Sequence, residues 1–198
     1  LNKKKICISA GNMKLGKMAN FSLTPGTTCS KAACSTCYVE GCYARKAYRL
    51  YPQTKNAWDK NTEFAKENIL ELKAQLSSYF AKSKPRFFRI HVAGDFVSKE
   101  YAEMWRDVIA DAPDTRFLAF TKQYEIAKAI EWPENVAMIF SAWPGLEFDR
   151  TGFNVAWMDD GTETRVPADA IICPGSCENC GMCFQLPALQ RDVVFHKH

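Results

Sequence analysis

Between Arg86 and Ser141 the chain alternates strand-like and helix-like runs so regularly that few folds can accommodate it. "RFFRIHVAGDF" is a continuous run of strand formers that ends in Ala93-Gly94-Asp95. Ser98 then offers an N-cap with Glu100 in the first turn, and Tyr101, Met104, Trp105, Val108 and Ile109 recur at helical spacing, which predicts an amphipathic helix over 99–111 stopped by Pro113. "RFLAFT" reads as a second strand, "YEIAKAIEW" as a short helix ended by Pro133, and "NVAMIFS" as a third strand. Such alternation with short connections implies parallel strands joined by right-handed helical crossovers. The expected fold class is therefore α/β, a partial (β/α) TIM-like barrel with cysteine-rich loops at both ends.

Around this core, residues 60–82 read as another helix with Phe64, Ile69, Leu72, Leu76 and Phe80 as its buried stripe. "KICISAG" and "MANFSL" read as two short strands joined by a turn around Asn12 and Gly16, and "FNVAWMDDGTETRV" as a late hairpin turning at Asp160-Gly161. With 198 residues, no internal repeat and no low-complexity linker, the expectation is one domain over 1–198: N-terminal strands and a Cys-rich loop (1–50), the β/α core (60–145), and a hairpin with a second Cys-rich segment (150–198).

Side chains alternate across a strand, so Phe88, Ile90 and Val92 are expected to face the helices while Arg89, His91, Ala93 and Asp95 face the inside of the curved sheet. A structural barrel fills that interior with branched apolar residues, so polar residues there indicate a site. Thr121, Lys122 and Ser141 end the next two strands, and parallel α/β sheets bind ligands at the carboxyl ends of their strands. Lys122 and Ser141 are the candidate cofactor-binding residues, and His91 and Asp95 the candidates for moving protons. Taken singly, His91 also reads as a core histidine and Asp95 as a cap on the following helix.

Eight of the nine cysteines fall into two sets, Cys29-x4-Cys34-x2-Cys37-x4-Cys42 and Cys173-x3-Cys177-x2-Cys180-x2-Cys183, while Cys7 stands alone as an ordinary buried thiol. Clustering at two to four residues is what metal ligation demands and is a poor basis for disulfides in a reducing compartment. Four thiolates held together repel one another unless a cation or cluster neutralises them. "CENCGMC" matches the C-x2-C-x2-C run that wraps three corners of a cubane, with Cys173 near enough for the fourth, so the spacing favours a [4Fe-4S] cluster, one or two per chain. Zinc is the alternative, since Cys34, Cys37, Cys180 and Cys183 could form the two knuckles of an all-thiolate site. Arg45, Lys46 and Arg49 follow Cys42, either to offset thiolate charge or as a solvated helix face.

A net charge of +4, from 26 basic and 22 acidic residues, attracts phosphate but lacks the bias of a dedicated nucleic-acid binder. "LNKKKICISAG" has no apolar signal-peptide core and no apolar run approaches spanning length, so the expected location is the cytoplasm, and no function is assigned to the closing "HKH". The expected partners are a small molecule or a host component, with weak support for nucleic acid.

On "NMKLG", "NFSLTPGTTC" running into "CYARK", "HVAGDF", "RFLAFTK", "ENVAMIFSAWPG" and "CENCGMC", the sequence resembles the phage gene product 88 family, proteins of unassigned activity. The phage resemblance implies a location in the host-cell cytoplasm; the layout is also similar to radical-SAM proteins, in which a cysteine-rich loop follows the first strand of a partial barrel, and that likeness implies substrate or SAM contacts at "VAGDF". The radical-SAM pattern is C-x3-C-x2-C with an aromatic residue before the last cysteine, whereas here the first gap is one residue longer and Thr36 holds the aromatic position. The motif thus does not support SAM, and either set offers four thiols where SAM chemistry needs an open iron. The resulting expectation is a phage-encoded [4Fe-4S] protein of unassigned activity; the alternative is a non-catalytic, metal-stapled module that binds nucleic acid or a host protein.

Overall fold

The computed structural model describes residues 4–196. In chain order the elements are β1 (Ile8–Ser9), β2 (Ala19–Phe21), α1 (Lys31–Ser35), α2 (Cys37–Glu40), α3 (Tyr43–Leu50), α4 (Pro52–Glu67), α5 (Ile69–Ser83), β3 (Phe87–Ile90), α6 (Lys99–Ala110), β4 (Arg116–Thr121), α7 (Tyr124–Lys128), β5 (Val136–Ser141), β6 (Asn154–Asp159), β7 (Ile171–Ile172), α8 (Cys177–Cys180), a 3-10 turn at Met182–Phe184, α9 (Leu186–Leu189) and β8 (Val193–His196). The strands form one eight-stranded sheet in the order β1-β2-β3-β4-β5-β6-β8-β7. Only β1 and β2 are antiparallel, and from β2 onward every pair is parallel.

The sheet is open, which corrects the barrel expectation to a mixed α/β sheet. Its two edges, β1 and β7, are two residues long and lie at opposite ends of the strand order, so no ladder joins them. The expected hairpin after Phe153 does not form either. The turn at Asp160-Gly161 is present, with Asp159 Oδ1 accepting from the Gly161 N–H at 2.8 Å, but residues 162–166 do not return along β6. Arg165 is drawn instead to Glu163 and to the carbonyls of Trp143 and Leu146, and β6 pairs with β8, 34 or more residues away. The helix expected over 60–82 is two helices, broken at Asn68, whose φ of −138° and ψ of 49° leave the helical region.

The two faces of the sheet carry different cores. Phe88, Ile90, Phe117, Ala119, Val136, Met138, Phe140, Val155 and Trp157 meet α4–α6 through Phe64, Leu72, Leu76, Phe80, Tyr101 and Trp105. Ser98 caps α6, accepting from the Tyr101 N–H, as its sequence suggested. On the opposite, inner face, Leu118, Ala137, Ile139, Ala156 and Val193 are covered by Leu186, with Cys173, Cys183, Phe120 and Phe184 packed around them. The C-terminal cysteine segment is therefore the lid of the second core.

Candidate functional site

The N-terminal cysteines sit over the carboxyl ends of the parallel strands because the chain leaving β2 is stitched there. Leu23 N–H donates to the Ala93 carbonyl at 2.9 Å, and Asp95 N–H to Thr28 Oγ1 at 3.2 Å. Gly94 permits this approach: its φ is +76°, and a Cβ would stand 2.6 Å from Thr28 Oγ1 and 2.7 Å from Leu23 Cβ. The loop then delivers Cys29, and α1 and α2 carry Cys34 and Cys37, with Cys42 preceding α3. Gly26 N–H donates to Cys29 Sγ at 3.3 Å and the Cys34 thiol donates to the Gly26 carbonyl at 3.1 Å. Burial pushes the Cys29 thiol up to about 12, with the charges of Asp95, Cys34 and Cys37 adding to the rise. Burial also raises Cys37, which the Lys122 ammonium partly counters.

Lys122 and Ser141 come together as the sequence implied: Lys122 Nζ donates to Ser141 Oγ at 2.8 Å. Asp95 stands beside them as a staple between strand ends. Its carboxylate accepts from the Thr121 hydroxyl at 2.6 Å, the Lys122 N–H at 2.7 Å and its neighbour Phe96 N–H at 2.8 Å. Burial raises its pKa against the pull of these donors.

His91 departs from this group. Its φ of +57° ends the strand and breaks the alternation, so the ring turns to the helix side and not to the inner face with Arg89. There Nε2 lies 2.8 Å from the Tyr101 hydroxyl, the ring stacks on Tyr101 and meets the edge of Phe96, and Nδ1 has no partner. Burial, with Arg89's charge second, lowers its pKa to about 3. The geometry is that of a core histidine. Arg45, Lys46 and Arg49 are exposed on α3, so the cations that approach the thiols are others. Cys7 is half-buried.

The C-terminal set lies against the inner face. Cys173 N–H donates to the Val194 carbonyl at 2.9 Å and Cys177 N–H to the Lys14 carbonyl at 2.8 Å, while the Phe184 ring packs 4.7 Å from that of Phe87. Under this set sits Arg89, only 9% exposed, its guanidinium 4.0 Å above the Phe120 ring and its Nε without a hydrogen-bond partner. Its charge acts on Cys177 and Cys183. Burial pushes Cys183 up to about 12 and raises Cys177, and in both Arg89 pulls the other way. Tyr43 stands between the sets: its hydroxyl donates to the Val92 carbonyl, and it feels the charges of Cys29, Cys42 and Cys177. Arg89 left a signal in the sequence, as the one charge between apolar residues of a strand; Tyr43 left none.

A groove of about 1140 Å³ opens at the amino ends of β3 and β4, not at the carboxyl ends where a pocket was expected. Cys177 and Cys180 form part of its wall, beside Lys17, Arg86 and Arg116, and none of its described lining residues is acidic. Among the described residues, no three Cys, His, Asp or Glu side chains converge closely enough to hold a metal ion. A tetrahedral zinc site with bonds near 2.3 Å needs its sulfurs about 3.8 Å apart. A cubane binds its thiolates at separate corners and so holds them more widely spaced. Cys173, Cys177, Cys180 and Cys183 act on one another through their charges, with the Arg89 guanidinium opposing them at Cys177 and Cys183.

The profile of the family described as Gene product 88 matches residues 2–171. The chain belongs to the gene product 88 family. Two relatives are both called Gene 88 protein. That of Mycobacterium phage L5 is 27% identical, covering 93% of this chain and 89% of its own, and that of Mycobacterium phage D29 is 27% identical, covering 87% and 85%. No solved structure matches. Family membership thus ties the chain to bacteriophage proteins, and the matched span takes in the first cysteine set, Asp95, Lys122 and Ser141 while ending just before Cys173. No helix among the described residues is long and apolar enough to cross a membrane.

Proposed function

We propose that this gene product 88 protein binds a [4Fe-4S] cluster through Cys173, Cys177, Cys180 and Cys183. One observation carries the reading: Arg89 is buried beneath these thiols with an unpartnered Nε and no ion pair to a carboxylate among the described residues. An isolated buried cation costs several kcal/mol, and an anionic thiolate centre is the counter-charge its surroundings offer. The cluster, when bound, would supply Lewis-acid or electron-transfer chemistry. This chain's own residues would exclude water at Phe184 and Leu186 and neutralise charge at Arg89. The first cysteine set lies within the field of Lys122 and Asp95, and that end of the sheet is where a small-molecule substrate would meet the protein if it is an enzyme.

Oxygen-free purification tests the reading. Iron with acid-labile sulfide and absorption in the blue are expected, and Arg89→Met should weaken iron retention by about ten- to a hundredfold, the usual cost of an outer-shell partner. Folded, oxygen-free protein that holds neither element and keeps its thiols free would overturn it.

The groove favours a second reading, a non-catalytic module that binds nucleic acid. Its three cations, Lys17, Arg86 and Arg116, give it the right charge, and Phe87 and Phe184 supply aromatic surface. Arg86→Ala with Arg116→Ala should then abolish salt-dependent binding of a single-stranded oligonucleotide while iron content is unchanged. Binding that survives both substitutions would remove this reading.

A further inference from the structure

We infer that Arg89 is the anchor of a ligand site on the inner face of the sheet, where its guanidinium holds a small oxyanion, a carboxylate or a phosphate. The inference goes beyond the cluster reading, which answers the charge of Arg89 and leaves its hydrogen bonds unmade.

The chain treats its other arginines differently. Arg106, Arg150, Arg165 and Arg191 each meet a carboxylate, of Asp107, Asp192, Glu163 and Asp169, although their side chains are 30–46% exposed. Arg45, Arg49, Arg86 and Arg116 are exposed to water. Arg89 is 9% exposed, its Nε has no partner, and it makes no hydrogen bond or ion pair to a described residue. The described charges that act on it come from Tyr43, Cys183 and Cys177, one phenol and two thiols, with no carboxylate among them. The Tyr43 hydroxyl is committed to the Val92 carbonyl. A guanidinium carries five N–H donors, and sulfur is a weak acceptor, so these neighbours do not use the fork.

The surroundings aim that fork. Phe120 lies 4.0 Å from the guanidinium and covers its face, while the donors radiate in its plane. In the strand register Arg89 stands between Asn20 and Leu118, which share its face of the sheet. Asn20 is buried and donates one amide hydrogen to the Met18 carbonyl at 3.3 Å, which leaves its second as a further donor. Phe87, the preceding residue of β3 on this face, lines the large groove, and so does Cys177, whose thiol feels the charge of Arg89. The groove therefore leads from the amino ends of the strands toward the guanidinium. A planar fork backed by a ring and an amide matches two oxygens of one anion, bound bidentately.

The test is calorimetric titration of the full chain, purified without oxygen, with inorganic phosphate and separately with acetate, iron being measured in the same sample. One saturable site per chain is expected for at least one anion, and the one that binds identifies the ligand class. Arg89→Lys keeps the charge and removes the planar fork, so it should weaken binding at least about tenfold, and Arg89→Met should abolish it. Should either variant fail to fold, the parent decides: the Arg89 Nε–H resonance is expected to shift as the anion is added. No binding of either anion would overturn the inference, and iron in that sample would leave the cluster reading standing. Binding that both Arg89 variants retain, and that Arg86→Ala with Arg116→Ala removes, would also overturn it, since the anion would then sit in the groove. Binding lost with Arg89 in a protein free of iron would support the inference and remove the cluster.

Discussion

Lowering the pH from 8 to 5 should weaken the folded protein through His91 alone among its described histidine rings. The ring is 3% exposed, and burial holds its pKa to about 3, against about 6.5 in an unfolded chain. Below pH 6.5 the unfolded chain takes up a proton that the folded chain refuses. Stability is therefore complete above the unfolded value and is lost as the pH falls toward the folded one. At pH 5 the linkage relation gives RT ln[(1 + 10^1.5)/(1 + 10^−2)], about 2 kcal/mol, a large part of the roughly 5–15 kcal/mol that holds a domain folded. Asp95, raised by burial, acts in the opposite sense, while Asp59, Asp107, Asp149 and Glu163, all lowered, lose their contribution only below about pH 4.5. Comparison with His91→Asn cancels these shared effects, and asparagine tolerates the left-handed backbone at this position. Urea unfolding of both proteins at both pH values should show the parent losing about 2 kcal/mol more than the variant. Parallel losses would refute the claim that His91 is buried uncharged.

Two further substitutions probe the stitching. Gly94→Ala should cost about 3 kcal/mol, or about 10 °C in melting temperature, because it combines a positive φ with contacts under 3 Å, whereas Gly152→Ala, with positive φ but open space around it, should cost about 1 kcal/mol; equal effects would show that the Thr28–Leu23 contact is not tight. Asp192→Ala should cost about 3–5 kcal/mol by chemical denaturation, since the carboxylate takes two bonds from Arg150, one from Val155 N–H and one from Trp157 Nε1, all within 2.9 Å; a loss below about 1 kcal/mol would contradict that network.

The central strands were legible because each is a run of strand formers long enough to be buried on both faces, and α6 because its cap and stripe agree. What escaped reading was non-local or conformational. The parallel pairing of β6 with β8 depends on Asp192 reaching Val155 and Trp157, and nothing near Asp160-Gly161 announces it; the turn signal was real but its partner strand was not. A barrel was expected because three central strands and their helices are the same in an open sheet and a closed one. The His91 flip requires a left-handed residue that is not glycine, which alternation arguments cannot foresee. That Lys122 and Ser141 meet could be read because strand ends are readable, and Arg89 was visible as a charge in the wrong company, although its thiol neighbours come from nearly 90 residues downstream.

The unequal construction of the two faces decides which of them opens first. The helix side is sealed by large aromatic rings. The other side is thatched by a short segment that lays Leu186, Cys173, Cys183 and Phe184 over Leu118, Ala137 and Ile139. Opening of that cover would leave the helix side closed and present a greasy strip of the kind that chaperones grip and proteases exploit.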